Sequence, residues 1–367
     1  MRAFLRTFRG LHIWLLVNAL LLALFFALRG DRRVMNAVAQ RFSMPLEQAL
    51  GRLCALVPFS VAELCYAAAV IGLAAFLVCW AFSIRRAEYK RDAVYRGALG
   101  LLNVMLSLGA ALCLFWGVNF SADDFCDKSG IFPQPVEYQD LVAVTRLFAQ
   151  RTAEYAPQVA RDANGTYAVP REDSLRRAPS LYEGMYGEFP FLYLPHDPMP
   201  KKIICSRVMS AMNVTGLYFP FTGESNLNMD FPAATFPATV AHELAHRRGI
   251  ASEQQCNFLA VLAATRSDDA DYRYSGWLFG YIYLSNALYA ANPGEWQAVR
   301  DLLPESAVAD LRAANEYWAR YEGAVSHASE KTYDAMLRSY GDNLGIRSYG
   351  AVVDLLVAYY KDSIGEP

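Results

Sequence analysis

His242 and His246 stand four residues apart, and Glu243 follows the first of them directly. On a helix, positions four apart project from one face about one turn from each other. Two imidazoles so placed can share a zinc ion at about 2.0–2.1 Å. Glu243 sits beside the first ligand, so it can reach a metal-bound water without taking a coordination position, as a general base must. The flanks agree. Pro237 suits the first turn of a helix, and Gly249 suits its C-terminal stop, where positive φ is needed. Val240, Ala241, Leu244 and Ala245 supply apolar packing. The same histidines could instead be packed core residues. That two of the chain's five histidines fall in this arrangement, between matching start and stop signals, favours the metal.

A catalytic zinc takes three protein ligands and keeps one position open. A turn at Gly249 sends the chain back toward His242 and His246. Glu253 is the first carboxylate after it, at the start of a helix expected to run to about Ala264. Glu253 is therefore the expected third ligand, with Asp268, Asp269, Asp271 or a more distant carboxylate as rivals. A carboxylate there could also serve only to complement the helix dipole. Asn257, four residues on, is placed to hydrogen-bond a ligand histidine. Upstream, Gly216 to Asn228 reads as two extended pieces around a Gly turn. A strand there, with Gly216, Tyr218 and Phe219 on an edge, could pair with a peptide main chain. Pro220 fits an edge position, though an ordinary hairpin reads the same way. Oxyanion stabilisation needs another donor. His327 and Tyr274 are candidates, as are Tyr272 and Tyr333. His12 and His196 read as structural or exposed.

These residues need elements to position them. The chain has 367 residues, 54% hydrophobic and 19% charged, and the apolar excess sits in the first 120. Apolar runs at about 11–28, 61–82 and 98–118 each match the length needed to cross about 30 Å of hydrocarbon as a helix. The first lacks a small-residue cleavage site and reads as an uncleaved anchor. Eight basic residues flank one side (Arg2, Arg6, Arg9, Arg85, Arg86, Lys90, Arg91, Arg96) against five on the other (Arg29, Arg32, Arg33, Arg41, Arg52). The bias puts the N-terminus in the cytoplasm and everything after Val118 outside. Between the first two runs, apolar residues from Val34 to Leu53 recur every three or four. That pattern predicts an amphipathic interfacial segment over 31–58, interrupted near Pro45. Ser60 to Glu63 reads as a capping box opening the second run.

From Asn119 the composition is that of a globular domain, with a helix expected over about 136–151 and mostly helices after 230. The run Gly276–Ala290 is short for a span and reads as a core helix. A net charge of −2, without a finger spacing, phosphate loop or basic stripe, argues against nucleic acid. Of seven cysteines, Cys54, Cys65, Cys79 and Cys113 lie in apolar runs. Among Cys126, Cys205 and Cys256, a Cys126–Cys205 disulfide is open to an oxidising compartment.

Several segments together resemble a family of bacterial membrane proteins, the domain-of-unknown-function family 3810, grouped with the HExxH zinc peptidases. They are Pro58-Phe59-Ser60, Gly216 through Glu224, and His242 through Gly249 with Glu253 and Asn257-Phe258-Leu259. Arg273 through Gly276, Tyr333-Asp334 and Ser348 through Leu356 extend the match to nearly the full length. Where the family pattern carries a run of acidic residues after the turn, this chain keeps only Glu253 before Gln254 and Gln255.

The expected fold is mainly α with a small β element: a three-helix transmembrane anchor over 1–118, then an extracytoplasmic zincin-like metallopeptidase domain over 119–367. The expected activity is peptide-bond hydrolysis near the membrane surface, with Zn2+ on His242, His246 and Glu253 and with Glu243 as base. The partners are a peptide or protein substrate and the lipid bilayer, and the resemblance implies the bacterial cell membrane. The alternative is a catalytically silent sensor or scaffold that binds a peptide or cell-wall ligand. Intramembrane proteolysis is weaker, because the motif lies well after the last span.

Overall fold

The computed structural model describes residues 6–364 apart from 343, 346, 348 and 349. Arg2, Ser348 and Tyr349, used above, lie outside the described residues. The chain divides into two compact units, residues 1–47 with 61–122, and 48–60 with 123–367.

In the first unit, three helices are long and apolar enough to cross a membrane: α1 (Arg9–Leu28), and, after shorter segments, Val61–Arg86 and Lys90–Phe115. The third begins at Lys90, well before the expected 98, so Lys90, Arg91 and Arg96 lie in its first turns and not in a loop. Asp31 caps α2 (Arg32–Val38), its Oδ1 accepting from the Arg33 and Val34 amides at 2.9 and 3.2 Å. The interruption expected at Pro45 takes the form of a π-turn over Ala39–Ser43, after which α3 (Met44–Cys54) continues. The cause is local. Proline lacks the N–H for the ladder and crowds the carbonyl four residues back, and a widened turn relieves both.

Helix α4 (Val61–Arg86) is pinned to α5 (Lys90–Phe115) where the Trp80 indole donates to Ala93 O at 3.1 Å and covers Gly97. A Cβ on Gly97 would stand 2.0 Å from Trp80 Nε1, so only glycine admits that ring. Between α1 and α5 runs a polar seam. Asn103 donates to Leu11 O and Leu99 O, Asn18 donates to Asn103 O, and Ser107 donates to Asn18 Oδ1. Small polar side chains between apolar helices join spans in this way, since lipid offers no competing partner.

The second unit is mainly helical around one core. Its elements before the sheet are α6 (Phe125–Ser129), α7 (Tyr138–Tyr155) and α8 (Arg171–Arg177). The sheet has three strands in the order β1 (Lys201–Ile203), β3 (Glu224–Asn228), β2 (Gly216–Phe219), with α9 (Ser206–Ala211) between β1 and β2. Central β3 runs parallel to β1 and antiparallel to β2, with Gly216 opposite Leu227 and Phe219 opposite Glu224. Every residue of β3 is buried although four of five are polar. Their partners explain how: Ser60 Oγ donates to Asn226 Oδ1 at 2.6 Å, Ser225 Oγ to Glu243 O at 2.9 Å, and Asn228 Nδ2 to Val214 O at 2.9 Å.

The core is then built by α10 (Phe236–Arg247), α11 (Glu253–Thr265), α12 (Ala270–Ala291) and, near the end, Val352–Tyr360, together with α7. The stretch Gly276–Ala290 thus belongs to a core helix, as its length suggested. Gly276 and Gly280 lie against Ala264 and Phe148, where any side chain would collide. Helices α13 (Pro293–Arg300), α14 (Glu305–Ala319) and α15 (Ala324–Tyr340) precede the last, α16. No disulfide occurs among the described residues, so the Cys126–Cys205 pairing is not formed. Cys126 is instead buried, its Sγ 3.3 Å from Gln255 Nε2, while Cys205 is exposed.

Candidate metal centre

Helix α10 is shaped by its ends. Pro237 occupies the first turn, and the Ala238 amide donates to Ser275 Oγ at 3.0 Å. At the other end Gly249 adopts φ 79°, which reverses the chain into α11, whose first residue is Glu253. The turn and helix spacing bring His242, His246 and Glu253 together, with one ligand atom from each within 4.8 Å of the others.

Each histidine is oriented by its other nitrogen. His242 Nδ1 lies 2.8 Å from Asn257 Oδ1, and His246 Nδ1 lies 2.8 Å from Ile250 O. Facing an acceptor, each Nδ1 carries the proton and leaves Nε2 as a lone pair. The two Nε2 atoms are 3.1 Å apart, and Glu253 Oε2 is 3.1 Å from the first and 3.6 Å from the second. In the neutral rings the three ligand atoms therefore turn lone pairs toward one point, in a site where His242 is 8% exposed and Glu253 1%. A tetrahedral zinc with ligands at about 2.0–2.1 Å needs ligand atoms roughly 3.3 Å apart. The donor set and its spacing fit a divalent cation of that kind.

The electrostatics of the cluster point the same way. Burial pushes the Glu253 carboxyl up, but the His246 and His242 rings beside it override this and hold it well below the usual carboxylate range. Burial pushes His246 down, yet Cys256 and Glu253 carry it well above the usual imidazole value. The cluster thus draws in positive charge. Burial pushes the Cys256 thiol up to about 11, so the sulfur 3.3 Å from His246 Nδ1 packs as a neutral thiol. Burial also raises the Glu243 carboxyl, against the lowering effect of the two histidines.

Glu243 is 3% exposed, and its Oε2 has no hydrogen-bond partner. It meets the sheet at β2. The Tyr218 amide donates to its carboxylate, and a Cβ on Gly216 would stand 2.4 Å from Oε1. The absence of a side chain at Gly216 makes room for the carboxylate. Strand β2 is an edge of the sheet, as Pro220 suggested. Phe219 ends it, its ring edge-on to Phe221 at 5.4 Å.

Other expected residues go elsewhere. Tyr274 is not at the centre: its hydroxyl donates to Asp310 Oδ2 and its ring stacks on Tyr167 at 5.9 Å, a packing network with Arg161. His327 is exposed on α15, because its helical phase turns it outward. Tyr272 donates to Ser174 O. Asp269 and Asp271 bind Arg177, and Asp268 binds Arg273. Gln255 serves structure: Nε2 donates to Asp124 Oδ2 at 2.7 Å, and Oε1 accepts from the Phe125 amide at 3.0 Å. Tyr333 is the one aromatic candidate that reaches the cluster, its hydroxyl donating to Glu253 Oε1.

Sequence reasoning missed a clamp beneath α10. Asp197 accepts from Arg247 and Arg248, each at 2.6 Å, with all three side chains at most 5% exposed. Arg248 also donates to Leu192 O and Leu244 O and lies over the Tyr182 ring at 3.8 Å, while Tyr182 donates to Ala241 O at 2.8 Å. Two buried arginines at the end of α10 signal a buried acid, but no spacing pointed to Asp197.

A mainly helical unit with a small sheet and a buried His/His/carboxylate cluster, together with three span-length helices, defines the class of protein. The chain belongs to the family described as "Protein of unknown function (DUF3810)", whose model matches residues 39–357. No curated protein and no solved structure matches it.

Proposed function

We propose that this chain is a membrane-anchored zinc metallopeptidase with a zincin-like domain outside the cytoplasm. The observation that carries the reading is the convergence of His242 Nε2, His246 Nε2 and Glu253 Oε2 in one buried site. These three atoms would hold the zinc, which when bound supplies Lewis-acid polarisation of a carbonyl and a water acidic near neutral pH. The protein's own work is positional. Asn257 and Ile250 O fix the ring orientations, and Tyr333 fixes the Glu253 carboxylate. Glu243 follows His242 on α10, with one oxygen unsatisfied. It takes the proton from the attacking water and returns it to the leaving amine, so no net proton is consumed. The basic-residue bias orients the anchor with its N-terminus inside.

The burial of all four site residues supports a second reading, a silent domain that binds a peptide or cell-wall ligand without turnover. Metal analysis of the purified full chain, paired with peptide-library cleavage, separates the two. Glu243→Gln should keep its zinc and lose cleavage by 10²-fold or more, on the order of a general-base contribution. Equal turnover in wild type and variant would remove Glu243 as base, and a zinc-loaded wild type that cuts nothing would favour the silent domain.

A further inference from the structure

The second unit carries an apolar rim that its own core does not cover. On the segment before α4, Leu53 is 63% exposed, Leu56 79% and Phe59 44%. On the segment after β1, Ile204 is 84% exposed, Val208 58% and Met212 41%. Isolated exposed apolar residues are ordinary, but a contiguous group marks an interaction surface. The two segments are joined. Lys201 Nζ donates to Val57 O, and Ser60 Oγ bonds Asn226 of β3, the strand that pairs with β1. Val208 lies on α9, with Ile204 just before that helix and Met212 directly after it. Exposed basic residues accompany the rim: Arg52, Lys202 and Arg207, of which Lys202 also reaches Glu172 at 3.3 Å.

Chain continuity indicates what covers this surface. Ser60 is followed directly by Val61, the first residue of α4, a helix of 26 residues apolar enough to cross a membrane. We infer that the rim is a membrane-docking surface. Its apolar side chains enter the headgroup–acyl boundary of the bilayer that α4 crosses, and Arg52, Lys202 and Arg207 meet anionic headgroups. Docking through residues 204–212 gives the second unit a contact with lipid far along the chain from Ser60. The β-sheet connects that contact to Glu243, through Ser225 on β3 and Gly216 on β2. The candidate centre is thereby held at a set height, and its substrate is a chain segment lying close to the membrane surface. That consequence rests on the peptidase reading, whereas the docking itself does not.

The test uses the full chain in nanodiscs containing anionic lipid, with a nitroxide on one exposed thiol at a time. Cys65→Ser with Cys79→Ser leaves Cys205 in the rim, and Cys65→Ser with Cys205→Ser leaves Cys79 on α4. The buried thiols stay in place. Asp268→Cys, in a background lacking the three exposed thiols, is the aqueous reference, since the Asp268 side chain is fully exposed. The label at Cys205 should be relaxed by oxygen and shielded from a water-soluble nickel chelate, as at Cys79, with the reverse at Asp268→Cys. Ile204→Asp with Val208→Asp should lose that shielding while the helical circular dichroism stays unchanged. An aqueous profile at Cys205 beside a lipid profile at Cys79 would overturn the docking surface. So would shielding from both reagents that vanishes at one chain per disc, the mark of a self-interface. An aqueous Cys79 would remove the span at α4, and the docking with it.

Discussion

Two places in this chain bury polar side chains against one another, and they balance their hydrogen bonds in opposite ways. In the seam between α1 and α5, donors meet acceptors. Asn103 Nδ2 serves two backbone carbonyls, Asn18 and Ser107 continue the chain of bonds, and one acceptor, Asn103 Oδ1, is left over. At the end of α10 both Nδ1–H donors are spent on Asn257 and Ile250 O, so in the neutral rings the two Nε2 atoms and Glu253 Oε2 turn lone pairs toward one point. Burying acceptors together without a donor is costly. A folded chain keeps such an arrangement when a cation completes it. Polarity alone therefore does not mark a site; the donor-to-acceptor balance does, and the two regions should respond differently when it is disturbed.

The largest effect is expected at Glu253. Glu253→Ala removes one of three ligand atoms and frees Tyr333 from its partner, so purified protein should lose its bound zinc outright by elemental analysis. Full metal occupancy in that variant would mean that the convergence of three acceptors is not the site. Next comes the clamp under α10. Asp197→Ala leaves the guanidiniums of Arg247 and Arg248 buried without a carboxylate. Breaking a buried pair in this way costs about 3–5 kcal/mol. Chemical denaturation of the full chain should register that loss, and a change below about 1 kcal/mol would show that water reaches the arginines.

How far the sequence announced these regions follows from the range of the interactions. The helix of His242 and His246, its stop at Gly249 and the return at Glu253 are local, and short-range rules place them. Asn257 was legible for the same reason, being four residues from Glu253 on the same face. Span-length helices were legible because apolar length is a property of the sequence itself. Asp197 lies about fifty residues from Arg247, and Tyr333 eighty from Glu253. Only the fold joins such pairs, so one was missed and the other was a name among four. Tyr274 and His327 show the converse: the right side-chain chemistry carries no information about where a distant helix will point it. Strand β3 was legible as extended but not as buried, because its polar residues are satisfied by Ser60, Val214 and the α10 backbone.

A smaller effect tests the support of the ligands. Asn257→Leu fills similar volume but removes the acceptor that orients His242. Partners of this kind are worth about 10–100-fold in metal affinity, which is about 1.4–2.8 kcal/mol. Zinc competition with a chelator of known affinity should show that weakening, with Glu243 and the three ligands intact. An unchanged affinity would mean that packing alone orients His242.

The smallest effect belongs to the seam. Asn103→Leu is close in volume and deletes the bonds to Leu11 O and Leu99 O, along with the stranded Oδ1. Hydrogen bonds between membrane helices average about 0.6 kcal/mol and reach about 1.7. Reversible unfolding of the full chain in mixed micelles should place the variant within that range, and its zinc content should stay at the wild-type level. The reasoning is that a carbonyl losing Asn103 as donor keeps its own helical bond, whereas the ligand atoms of the candidate centre converge on a point that a cation would complete. A loss well beyond about 2 kcal/mol would erase the contrast between the two regions and make the seam a functional element of the membrane unit.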